Sequence, residues 1–212
     1  MKIGFFDSGK GGTTVMAAVK QLLPEAEYKY IGDKENCPYG EKTDAELMEI
    51  TRRHVEILKN WGARIIVIAC NTATTRCIER LRQEYPELEF VGTEPAIKLA
   101  AETGAKRILV MATPGTIESE RTARLLEEYG RAKQKIRLLA CPGLADAIEA
   151  DANIEEKLTD LLAKVPEPEV VVLGCTHYSL IKSEIQKIYP RAQLIDGNEG
   201  VARRVLELTK QM

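Results

Sequence analysis

Two cysteines stand at the ends of two matched apolar runs. Ile66-Val67-Ile68-Ala69 leads into Cys70-Asn71-Thr72, and Val171-Val172-Leu173-Gly174 leads into Cys175-Thr176-His177. A β-branched run that stops at a small residue, then a thiol, then polar side chains and a helical pattern, reads as a buried parallel strand. It delivers the thiol to the start of a helix. Ligands of open α/β sheets sit at the carboxyl ends of the strands, so one thiol per half suggests a site with a cysteine on each side. Helix N-terminal amides lower a thiol's pKa below its free value of about 8.5, and a lowered value is expected here. Asp7, Glu149 and His177 are the candidates for moving protons to and from the thiols.

Three chemistries fit such thiols. One is nucleophilic attack on a carbonyl, which needs a single nucleophile and an oxyanion hole. A second is metal binding, with Cys70, Cys175 and His177 as ligands; the absence of C-x-x-C and H-x-x-x-H spacing disfavours zinc. The third is a pair of acid/base groups on opposite faces of one carbon, one thiolate removing a proton while the other thiol supplies one. Only the third uses the near-symmetry of the chain, and it suits a substrate and product that are mirror images. Against all three stands the reading of both cysteines as inert core residues.

The elements that must position these groups repeat. Strand Lys2–Phe6 runs into Asp7-Ser8-Gly9, and strand Arg107–Met111 runs into Ala112-Thr113-Pro114-Gly115-Thr116. Cys70 lies 63 positions after Asp7 and Cys175 lies 62 after Thr113 (70 − 7 and 175 − 113). This predicts an internal duplication into two similar domains. Further strands are expected at Glu27–Ile31, Leu88–Val91, Lys135–Leu139, Val170–Leu173 and Gln193–Ile195. Helices are expected at Thr13–Leu23, from a Thr43-Asp44-Ala45-Glu46 capping box to Gly62, after Cys70, and at Ile117–Tyr129, Ile154–Leu162, Tyr178–Ile188 and Glu199–Lys210. Alternating strands and helices imply α/β architecture, with a doubly wound, mostly parallel sheet in each half. Thr93-Glu94-Pro95 marks the crossing between halves.

The turn Gly9-Lys10-Gly11-Gly12 lacks both G-x-G-x-x-G and G-K-[ST]. It is either a tight strand–helix turn or a set of backbone N–H groups for a small anion such as a carboxylate. Tyr39, held between Pro38 and Gly40, is either a packed lid or a ligand contact. His54 falls on the apolar face of its helix and reads as a core or boundary residue, and Cys77 as structural packing.

Bulk properties narrow the class. The chain has 212 residues, 44% hydrophobic and 29% charged, with a formal net charge of −2. Acids and bases are interleaved with no basic stripe, which argues against nucleic acid as a partner. The start, MKIGFFD, is no signal peptide, and no apolar run nears the ~18 residues of a membrane helix. Five cysteines at irregular spacing then read as reduced cytoplasmic thiols, not a disulfide framework.

The motifs also carry a resemblance. Asp7-Ser8-Gly9 with Gly11-Gly12, Gly32-Asp33, Pro38-Tyr39-Gly40, Ala69-Cys70-Asn71-Thr72-Ala73, Glu94-Pro95-Ala96, Ala112-Thr113-x-x-Thr116, Cys141-Pro142, Gly174-Cys175-Thr176-His177-Tyr178 and Ile195-Asp196 occur in order along nearly the whole chain. In this the chain resembles the glutamate racemases, of the cofactor-independent aspartate/glutamate racemase superfamily. The resemblance implies two pseudo-symmetric α/β domains with the amino acid bound between them. Residues 1–94 with 195–212 would form one, and 95–194 the other. It implies no pyridoxal phosphate, no metal and no other cofactor. Cys70 and Cys175 would be the two bases, the first abstracting from the D-enantiomer and the second from the L-enantiomer. Asp7 would assist Cys70, and Glu149 with His177 would assist Cys175. Asp7, Ser8, Tyr39, Gly40, Asn71, Thr72, Thr113, Thr116, Thr176 and His177 would hold the substrate. The product role would be D-glutamate for peptidoglycan. Family members are often dimers with an arrangement that varies, so a homodimer is compatible. A racemase for aspartate or another acidic amino acid, and a non-catalytic protein that binds an acidic ligand, are the rival readings. The chain is shorter than most members. Lys10 and Thr13 stand where apolar residues are usual, Ala150-Asp151 follows Glu149 where Glu-Gly is common, and Ser179 replaces the usual proline.

Overall fold

The computed structural model describes residues 1–131 and 133–212. Among the described residues, eight strands form two four-stranded sheets. Lys2–Asp7 (β1), Glu27–Gly32 (β2), Ile65–Ile68 (β3) and Glu89–Gly92 (β4) make the first, in the order β2-β1-β3-β4. Arg107–Ala112 (β5), Lys135–Ala140 (β6), Val170–Leu173 (β7) and Gln193–Ile195 (β8) make the second, in the order β6-β5-β7-β8. All pairings are parallel. The two orders are the same when β1–β4 are matched to β5–β8, so the duplication read from spacing is present in the topology.

The apolar runs form strands because both of their faces are covered. Ile65–Ile68 and Val170–Leu173 are buried throughout, as strands inside a doubly wound sheet must be. On the first sheet, Thr13–Leu22 (α1) and Asn198–Gln211 (α10) cover one face through Val15, Val19, Val201, Val205 and Leu208. Asp44–Asn60 (α2) and Asn71–Glu84 (α3) cover the other, with Leu47, Val55, Leu58, Ile78 and Leu81 in its core. On the second sheet, Ile97–Glu102 (α4) and Glu120–Tyr129 (α6) lie on one side. Leu144–Glu149 (α7), Ile154–Leu162 (α8) and Lys182–Ile188 (α9) lie on the other. The capping box opens α2 as expected: Thr43 N donates to Glu46 Oε2 at 2.8 Å, and Glu46 N to Thr43 Oγ1 at 3.3 Å.

Several elements differ from the sequence reading. The helix expected over Ile117–Tyr129 is two pieces, Pro114–Ile117 (α5) and α6, because Ser119 turns its hydroxyl to the N–H of Thr122 and starts a new helix. The helix expected over Tyr178–Ile188 begins as a 3₁₀ turn, Thr176–Ile181, with Tyr178 N donating to the Cys175 carbonyl at 3.0 Å. The six-residue α4 is too short to show a period. Finally, Ile195 still pairs with Val172 in the second sheet, so the chain leaves that sheet only after Ile195, and α10 then packs on α1.

Candidate active site

The cysteines are presented by the same device in each half. Cys70 ends β3 and caps α3 with extended torsions (φ −133°, ψ 119°); Cys175 ends β7 and caps the 3₁₀ turn (φ −142°, ψ 136°). The small residue before each is tied to the neighbouring strand. Ala69 N donates to the Phe6 carbonyl at 2.9 Å, and Gly174 N to the Met111 carbonyl at 2.7 Å. Both thiols end up in the seam between the halves, 5% and 7% exposed.

Burial reverses the expected ionisation. Both thiols are pushed well above the ordinary cysteine range, by desolvation first. For Cys70 the next cause is the charge of Asp7, and for Cys175 it is Cys70 itself. A charge on one thiol therefore bears on the other. Helix-start amides act on both in the lowering direction, as the sequence suggested, but removal of water outweighs them. Asp7 is likewise raised above its ordinary value of 3.8, by burial against the opposing influence of His177 and the N–H groups of Gly12 and Ser8.

Each thiol has its own polar partners. Cys70 Sγ lies 3.9 Å from Ser8 Oγ, and Asp7 is at the end of the adjoining strand, its Oδ2 accepting from Gly12 N at 2.7 Å. Cys175 Sγ lies 3.9 Å from His177 Nδ1, and His177 Nε2 is 2.8 Å from Glu149 Oε2. Burial acts to raise the Glu149 carboxyl, but the Lys10 N–H and His177 together hold it below its ordinary range. An ionised Glu149 takes a hydrogen from Nε2. That leaves the Nδ1 lone pair toward the thiol, the tautomer a proton acceptor needs.

The glycine turn makes the seam close. A Cβ on Gly9 would stand 2.5 Å from Glu149 Oε2, and one on Gly11 would stand 2.5 Å from the backbone nitrogen of His177. Only glycine lets this turn interleave with the other half. Of the two readings of the turn, the anion-binding one is met by the protein's own carboxylates: Lys10 N donates to Glu149 Oε2 at 2.9 Å, as Gly12 N does to Asp7. Thr176 Oγ1 crosses the seam to Asp7 at 3.4 Å. Lys10 adds a surface ion pair with Asp151 at 2.7 Å.

The remaining predicted residues divide. Thr72 Oγ1 is 2.9 Å from Thr113 Oγ1 and 3.2 Å from Thr116 Oγ1, so hydroxyls of both halves meet in one buried cluster. Asn71 is buried, and among the described residues its Nδ2 has no partner, which leaves a donor for an acceptor group. Gly40 abuts Thr113. Tyr39, by contrast, is fully buried and donates its hydroxyl at 2.8 Å to Asp33 Oδ2. Cys77 and Cys141 are packed in the two cores. Cys70, Cys175 and His177 do not form a metal set: among the described residues no three His, Cys, Asp or Glu side chains are grouped to hold an ion. No helix among those residues is long and apolar enough to cross a membrane. Sequence reasoning missed Tyr30, whose hydroxyl donates to the Gly9 carbonyl at 2.6 Å and props the glycine turn; no local pattern marks it.

A duplicated parallel α/β fold thus brings one strand-end thiol from each half into a shared polar seam. The sequence profile of the Asp/Glu/Hydantoin racemase family matches residues 13–205, and the chain belongs to that family. It is an amino-acid racemase, an isomerase. Its relatives include a glutamate racemase of Clostridium perfringens strain SM101, 40% identical over 96% of this chain and 81% of the relative. Among solved structures, Escherichia coli glutamate racemase in complex with L-glutamate and an activator superposes with a TM-score of 0.90. The identity is 31%, over 99% of this chain and 82% of that one. Glutamate racemase from Francisella tularensis subsp. tularensis SCHU S4 in complex with D-glutamate has a TM-score of 0.83 at 25% identity, over 99% of this chain and 81% of that one.

Proposed function

We propose that this chain interconverts L- and D-glutamate by proton transfer at Cα between two thiols, with no cofactor taking part. The observation that carries the reading is the pair of buried strand-end cysteines, each with a separate proton acceptor. From L-glutamate, Cys175 as thiolate takes the α-proton and Cys70 as thiol delivers one to the opposite face. The products are D-glutamate, a Cys175 thiol and a Cys70 thiolate. The reverse reaction exchanges the roles. His177, held by Glu149, accepts the Cys175 proton beforehand, and Asp7 does the same for Cys70. Thiolates disfavoured by burial are strong bases once formed, and a substrate ammonium in the same water-poor seam offsets their charge. Ser8, Gly40, Asn71, Thr72, Thr113, Thr116 and Thr176 would supply the donors and acceptors for the two carboxylates and the ammonium; Tyr39 would contribute through its backbone.

The same reading keeps the division into 1–94 with 195–212 and 95–194, moved by one residue because Ile195 pairs in the second sheet, with the seam as the substrate cleft. The relatives' names support glutamate over aspartate; with that substrate the chain would supply D-glutamate for peptidoglycan in the cytoplasm, and a homodimer is compatible. The test is proton NMR of L-glutamate in D₂O with no added cofactor. The wild type should lose the α-proton signal as optical rotation decays. Cys70→Ser and Cys175→Ser should fold and fail to racemise. Normal racemisation by both would overturn the mechanism, exchange with aspartate alone would change the substrate, and binding without exchange would leave a binding protein.

A further inference from the structure

One buried ionisable cluster lies outside the proton-transfer groups. Asp33 follows β2 and is held beside the thiol site by its own backbone, its N donating to the Asp7 carbonyl at 2.9 Å. Its Oδ2 accepts from Tyr39 Oη at 2.8 Å and lies 3.0 Å from His54 Nε2, while Asn36 Nδ2 reaches both carboxylate oxygens at 2.9 and 3.0 Å. Tyr39 Oη and His54 Nε2 are themselves 3.1 Å apart. Asp33, His54 and Tyr39 are 8%, 9% and 1% exposed. Burial acts to raise the Asp33 carboxyl, but the three donors together hold it below its ordinary value.

A buried carboxylate with three donors is costly to build and costly to break. Among the described residues His54 Nδ1 is buried without a partner, so Nε2, 3.0 Å from Asp33 Oδ2, is the nitrogen that ties the ring into the cluster. Tyr39, bound to both Asp33 and His54, opens the turn Tyr39–Glu41. The turn lies against the other half: a Cβ on Gly40 would be 3.3 Å from Thr113 Cβ, and one on Gly115 would be 3.0 Å from the Gly40 carbonyl. Thr113 belongs to the buried hydroxyl cluster of the seam.

We propose that Asp33, His54 and Tyr39 are a positioning triad that sets the Tyr39–Gly40 turn against Thr113 and so shapes the substrate-binding wall of the cleft. His54 is then a functional residue acting through Tyr39, beyond its place in the apolar face of α2. The proposal rests on the cleft being the racemase site.

The experiment compares wild type with His54→Leu, His54→Gln and Tyr39→Phe. Gln retains a donor for Asp33; Leu and Phe each remove one. Two readouts are taken: amide hydrogen exchange of Gly40–Lys42, and KM and kcat for L-glutamate. His54→Leu and Tyr39→Phe should speed exchange of these amides by about tenfold, and His54→Gln should restore protection. KM should rise by about fivefold or more in the first two with kcat falling less, again restored by Gln. Folded variants with unchanged protection of the turn overturn the proposal. So does a lowered melting temperature with unchanged KM, which is what a purely structural cluster would give. If the wild type itself does not racemise glutamate, the functional reading fails and the proposal of a substrate-shaping role fails with it; altered amide protection would then show the cluster acting on the turn alone.

Discussion

Replacing Gly11 with alanine would test how tightly the two halves must meet. The added Cβ would lie 2.5 Å from the His177 backbone nitrogen, 2.7 Å from Thr176 Oγ1 and 2.8 Å from His177 Nδ1. An ordinary contact begins near 3.4 Å, so the 3₁₀ turn must retreat by about 0.9 Å. The obstacle is backbone and cannot rotate away. Overpacking of this kind costs about 1–3 kcal/mol of stability. The larger effect falls on chemistry, because the displaced segment carries Cys175 and His177. A misplacement of about 1 Å can cost on the order of 10² in rate, so kcat/KM for glutamate racemisation should fall by about that factor. Both directions must fall together, since mirror-image substrates have equal free energies. The α-deuterium isotope effect separates the halves: it should rise for L-glutamate, whose proton the proposed mechanism sends to Cys175, and shrink for D-glutamate. Near-wild-type kcat/KM in Gly11→Ala, with unchanged isotope effects, would refute the claim that the seam requires glycine for catalysis.

Three other outcomes follow from the same geometry. Glu149→Gln removes the carboxylate that fixes the His177 tautomer, and kcat should drop by on the order of 10² or more; a loss under about threefold in steady-state assays would remove Glu149 from the relay. Asp7 binds its proton more readily folded than unfolded, so its contribution to stability falls as pH rises from its ordinary value of 3.8 through its raised folded value. Asp7→Asn should therefore melt higher than wild type at neutral pH, with the difference closing at acid pH, while racemisation is lost; a lower melting temperature at neutral pH would contradict this. Gly200, in the first turn of α10, has no atom within 4 Å of an added Cβ, so Gly200→Ala should stabilise by about 0.5–1 kcal/mol in a denaturant titration without changing turnover.

What the sequence determined by itself is local. The runs before Cys70 and Cys175 are apolar on both faces, and such runs form buried parallel strands wherever they are placed. The polar residues directly after them must then lie at strand ends. The Thr43–Glu46 cap and the spacing of Asp7, Cys70, Thr113 and Cys175 are equally short-range statements, and they were enough for a parallel α/β sheet in each half with one thiol at a strand end of each. Tertiary structure decided the rest because the deciding partners are remote. The ionisation of the thiols turns on desolvation by burial, which no feature near Cys70 encodes. The glycine turn's anion is Glu149, 139 positions from Lys10. The hydroxyl of Tyr39 goes to Asp33 and His54 because α2 brings His54 back over β1, where its ring lies 5.7 Å from that of Phe6. Helical periodicity places His54 on the apolar face; it cannot say that an acid and a phenol arrive there from another loop.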